Sequence, residues 1–98
     1  MIIRIVHLFI RPAEIDIFTS LFERSKSEIG ASPGCLSLSL LQDVALPGHF
    51  STLSSWETED ALNDYRSSEF FRKTWAETKP LFEDRASAHS YEMISTID

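Results

Sequence analysis

The sequence predicts an α+β protein in which helices pack on one face of a four-stranded antiparallel sheet. Hydrophobic residues recur with a period of two over 2–10, 35–43, 49–57 and 87–94, and with a helical period over 13–29 and 59–82. Pro47-Gly48 joins the second and third strand segments closely enough to indicate a hairpin, hence antiparallel pairing. The 98 residues, 43% hydrophobic and 24% charged, suffice for one core, so one domain over residues 1–98 is expected.

Ile2 to Ile10 is dense in β-branched and aromatic residues and reads as a strand. Ile3, Ile5, His7 and Phe9 share one of its faces; Arg4, Val6, Leu8 and Ile10 share the other. Arg11-Pro12 ends it, and Pro12 suits the first turn of a helix. From Ala13 to Ile29 an apolar stripe runs through Ile15, Phe18, Leu21, Phe22 and Ile29, with Ile17 fitting it poorly. Gly30 and then Ser32-Pro33-Gly34 stop this helix.

Cys35 to Asp43 alternates Leu36, Leu38 and Leu40 against Ser37 and Ser39, and His49 to Glu57 carries Phe50, Leu53 and Trp56. Thr58 is placed to cap a helix whose first turn holds Glu59 and Asp60. Ala61, Leu62 and Tyr65 form its buried side. Ser67-Ser68 breaks and re-caps the chain before a second stretch from Glu69 to about Phe82, where Phe71, Trp75 and Phe82 share a stripe. Ser87 to Ile94 alternates as the last strand.

The order β-α-β-β-α-β is the ferredoxin-like, split βαβ arrangement. One helix layer covers one sheet face, yet the first strand is apolar on both. With His7 turned toward the helices, Val6, Leu8, Ile10 and Leu41 would lie on the uncovered face. Burying roughly 500 Å² there, at ~25 cal/mol/Å², is comparable with the whole stability of a small domain. A second copy packed sheet to sheet is therefore expected, giving a homodimer.

Fifteen acidic and nine basic residues give a net charge of −6, and the basic residues form no stripe, which argues against nucleic-acid and anionic-membrane partners. Cys35 is the only cysteine, so no internal disulfide is possible and a reducing, cytoplasmic setting is expected. The apolar start is too short to span a bilayer and lacks a cleavage-site pattern. Nucleotide-binding glycine loops, HExxH and GxSxG are absent, and no histidine has a ligand-like neighbour in sequence, so no metal is expected.

The run Ser55-Trp56-Glu57-Thr58-Glu59-Asp60-Ala61, continuing to Tyr65 and on through Ser68 to Phe71, resembles the antibiotic biosynthesis monooxygenase (ABM) family. There an aromatic-Glu pair ends the third strand, and an acidic turn, an Ala and a His-x-x-Ser/Thr-x-x-Phe run follow. Pro33-Gly34-Cys35 is similar to the family's approach to its second strand. The resemblance covers nearly the whole chain in element order, and it implies the dimeric α+β barrel. It also implies a monooxygenase that oxidises a small or polycyclic aromatic or quinol substrate with O2, without metal, flavin or other cofactor.

On that resemblance, His7 and Tyr65 are candidate catalytic residues assisting substrate deprotonation, with Trp56, Phe71, Trp75 and Tyr91 candidate substrate contacts. Each has a plainer reading as core: a hydrogen-bonded histidine, or packed aromatics. The departures matter too. Tyr65 stands at the family's common His position, and His7, Tyr65 and Trp75 replace the Asn, Trp and His of heme-degrading relatives. Heme degradation is the weaker alternative, and a non-catalytic small-molecule-binding or stress-response dimer the nearer one.

Overall fold

A computed structural model describes residues 1–98. Its elements are β1 (Ile2–Ile10), α1 (Ile15–Gly30), β2 (Cys35–Gln42), β3 (His49–Trp56), α2 (Glu59–Arg66), α3 (Glu69–Thr78) and β4 (Phe82–Glu92). The strands form one antiparallel sheet in the order β2-β3-β1-β4. This is the expected α+β, ferredoxin-like class, with the second helical stretch divided in two.

The division follows the capping residues. Thr58 Oγ1 accepts the Ala61 N–H at 3.1 Å, and Ser68 Oγ accepts the Phe71 N–H at 3.1 Å, so each starts a new helix. α3 ends at Thr78, earlier than the periodicity suggests. Lys79–Leu81, containing Pro80, forms a 3₁₀ turn, and Phe82 opens β4. Phe82 still packs edge-on against Trp75, with ring centroids 5.5 Å apart, so the aromatic stripe survives the change of element.

The end of α1 also differs from expectation. Gly30 stays helical; Ala31 N–H reaches Ser27 O at 3.0 Å and closes the last turn. The left-handed residue is Gly34, at φ 83°. Its carbonyl accepts the Glu57 N–H at 2.8 Å, and a Cβ there would lie 2.5 Å from the Ala61 Cβ. Only glycine permits both the backbone angle and the close approach of β2 to α2.

The core corrects the orientation of β1. Leu8 is 4% exposed and Ile10 fully buried, packed with Phe18 of α1, Phe50 of β3 and Leu81. Arg4, Val6, Leu8 and Ile10 therefore face the helices, and Ile3, Ile5, His7 and Phe9 face the uncovered side, the reverse of the sequence-based expectation. Alternation alone cannot choose between two apolar faces. The choice comes from register, because Leu8 lies opposite the buried Phe50. Leu41, opposite Ser51, does lie on the uncovered face as expected.

Two substitutions test this packing. Leu8→Ala should lower the unfolding free energy by about 2–5 kcal/mol, read by urea denaturation, whereas a surface position would cost almost nothing. Gly34→Ala should destabilise measurably, and more than Gly30→Ala, since nothing lies within 4 Å of a Cβ at Gly30.

Candidate functional site

The helix-facing side of the sheet does not pack solidly against the helices. A cavity of about 340 Å³ lies between them, within the ~300–1,000 Å³ of small-ligand sites. Its volume arises where small hydroxyl residues occupy core positions. Ser25 falls on the buried stripe of α1, Thr52 and Ser54 on β3, and Thr74 and Thr78 on α3. Ser25 donates to Leu21 O at 2.8 Å, Thr78 donates to Thr74 O at 2.7 Å, and Ser54 accepts from the Trp56 indole at 3.0 Å. These hydroxyls are satisfied locally and leave the space beside them unfilled.

One wall is a continuous series of rings. Trp56 stacks on Tyr65 at 5.1 Å, Tyr65 meets Phe71 edge-on at 5.2 Å and Phe71 stacks on Trp75 at 6.0 Å; outside the cavity Trp75 also meets Phe82. The sequence-predicted residues Trp56, Tyr65, Phe71 and Trp75 are thus brought together, all lining the cavity. Burial is the main cause, and the nearby Cys35 thiolate the second, of a Tyr65 phenol raised to about 12. Tyr65 is a proton donor at neutral pH and a poor base.

His7 and Tyr91 are not in this cavity. His7 lies on the opposite face of the sheet, its Nδ1 2.9 Å from Ser51 Oγ and 3.4 Å from His49 Nε2. His49 stacks on Phe9 and lies 3.5 Å from the Asp43 carboxylate. The N–H groups of Ala45 and Leu46 donate to Asp43, hold its carboxyl below the usual range and fix this corner. Tyr91, opposite Ile3 on the uncovered face, is 52% exposed. The reason is again register: odd-numbered β1 residues and their partners share the face without helices.

Arg4 and Arg66 also line the cavity, and no other lining residue carries charge. Sequence reasoning passed over both. The available signal was Arg4 itself, the one charged residue in the alternation that carries Val6, Leu8 and Ile10. Ser25, a polar residue on an apolar helical stripe, was a second signal.

The sequence matches the family described as antibiotic biosynthesis monooxygenase over residues 1–77. No protein of curated function matches it. Among solved structures, one described as an antibiotic biosynthesis monooxygenase is similar at TM-score 0.89 and 24% identity, covering 97% of this chain and 100% of that one. A candidate antibiotic biosynthesis monooxygenase from Deinococcus radiodurans is similar at TM-score 0.91 and 19% identity, covering 100% and 97%. One from Caulobacter crescentus gives 0.89 and 20%, covering 96% and 90%. At these identities the structural likeness establishes the fold.

The buried phenol has a measurable consequence. In a spectrophotometric titration, the tyrosinate signal lost in Tyr65→Phe should centre near pH 12, not at the ordinary value of 10.0. The folded state keeps its proton where the unfolded chain loses it, so stability present below pH 10 is lost as pH rises toward 12. Tyr65→Phe should flatten that part of the stability profile.

Proposed function

The chain belongs to the antibiotic biosynthesis monooxygenase family, and from that premise we propose that it oxidises a small or polycyclic aromatic phenol or quinol with O2 in the cavity between sheet and helices. The supporting observation is the aromatic wall from Trp56 to Trp75. A flat, apolar substrate stacks on such a surface, and the hydroxyl-lined gap leaves room for it.

The reaction balances with substrate and O2 alone. In its keto form such a substrate carries a ring methylene, which gives a proton to solvent water, and the carbanion passes one electron to O2. The two radicals join as a peroxide anion, which takes up a proton to become a hydroperoxide, and loss of water leaves a carbonyl. Two hydrogens and one oxygen atom depart as water, and the other oxygen stays in the quinone. No imidazole or carboxylate lines the cavity, so neither the base role expected for His7 nor that for Tyr65 fits. Tyr65 instead donates to the developing peroxide or oxyanion, and Trp75 shapes the stacking surface.

The same reading covers the uncovered face with a second copy of the chain. Ile3, Ile5, Phe9, Leu41 and Leu53 lie there, with Leu41 50% and Leu53 36% exposed. Exposed apolar area of this kind marks an interface, and a cytoplasmic setting suits the unpaired Cys35.

With anthrone- or quinol-type substrates under O2, the protein should consume oxygen. Tyr65→Phe should lower the rate by roughly 10²-fold, the scale for loss of one oxyanion donor, while His7→Ala, on the far face, should retain it. Equal rates in wild type and Tyr65→Phe would remove Tyr65 from the mechanism. Light scattering should give a dimeric mass that becomes monomeric in Leu53→Glu.

A further inference from the structure

The cavity is charged at one end only. Along β1, Leu8 lies opposite Phe50, Val6 opposite Thr52, and Arg4 opposite Ser54. The floor thus passes from purely apolar to cationic over two strand positions. At the cationic end Arg66, the last residue of α2, joins Arg4.

Neither guanidinium has an acidic partner. The chain's ion pairs within 4 Å are Arg11–Glu14, Lys26–Glu23 and His49–Asp43. Arg4 donates only to the neutral Ser90 Oγ, at 2.9 Å. Burial and then the Arg66 charge pull Arg4 below the ordinary guanidinium range, so two like charges lie near each other at this end of the cavity. A position at a helix C-terminus accounts for a cation at residue 66. It does not account for Arg4, a half-buried charge on the apolar face of a central strand. Arg4 and Arg66 lie together on one largely apolar cavity with no carboxylate among its lining residues, so an anion brought by a ligand can meet both.

We propose that this cavity selects aromatic molecules bearing an oxyanion on the ring, with Arg4 and Arg66 binding the anion at the mouth while the rings stack on Trp75 and Tyr65. The inference rests on the cavity being the substrate site and deepens that reading. It also supplies what the wall lacks: paired cations stabilise a phenolate or enolate and so acidify the substrate, making a protein base unnecessary.

The test compares naphthalene-2-carboxylate with its neutral amide, by quenching of tryptophan fluorescence without turnover. The carboxylate should bind about tenfold more tightly, the scale of one good charge-assisted contact. The preference should fall toward unity in Arg4→Gln and in Arg66→Gln, with affinity for the amide retained. Arg66 is exposed, so its replacement tests the idea even where Arg4→Gln fails to fold. A second arm titrates bound 2-naphthol, whose pKa should drop by about one unit or more relative to free 2-naphthol. Equal binding of acid and amide, or a preference that survives both replacements, would overturn the proposal. Oxygen uptake with a neutral quinol but no anion preference refutes the arginine site and leaves the oxygenase reading intact. Anion preference without oxygen uptake does the reverse.

Discussion

Leu8 of β1 opposite Phe50 of β3 is the contact on which the rest of the molecule depends. Because side chains alternate across a strand, placing one residue places all nine. With Leu8 beneath the helices, Ile10 follows into the center of the core and meets Phe18 and Leu81. Val6 and Arg4 then become the cavity floor. Ile3, Ile5, His7 and Phe9 are turned to the bare side of the sheet, where the His7–Ser51 and His7–His49 contacts form. A shift by one residue would exchange the floor of the site with the uncovered face.

The cavity exists because two kinds of residue compete for the same layer. Protein interiors ordinarily close to crystal-like density, and the aromatic series from Trp56 to Phe82 would do so against leucines. Serines and threonines occupy positions around the same cavity instead, and several spend their hydroxyls on local backbone or side-chain partners. Left behind is a largely apolar volume bounded by flat rings, with its charge confined to Arg4 and Arg66.

Much of this was legible locally. Thr58 and Ser68 start helices because their hydroxyls accept orphan N–H groups one turn on, a relation set within four residues. The convergence of Trp56, Tyr65, Phe71 and Trp75 followed from strand and helix periods. The segment after Thr78 was less legible, because Phe82 continues the helical stripe in sequence while belonging to β4 in space. His7 and His49 lie 42 positions apart, and only strand pairing makes them neighbours.

By itself the sequence determined the order of elements, their caps, the hairpin and an aromatic wall, since each depends on interactions between residues close in the chain. Which face of β1 the helices cover was decided by tertiary structure alone. Both faces carry apolar residues, so no local preference separates them; the long-range fit of Leu8 and Ile10 against Phe18, Phe50 and Leu81 does. That choice removed His7 from the cavity and put Arg4 into it, replacing an expected base with a positive charge.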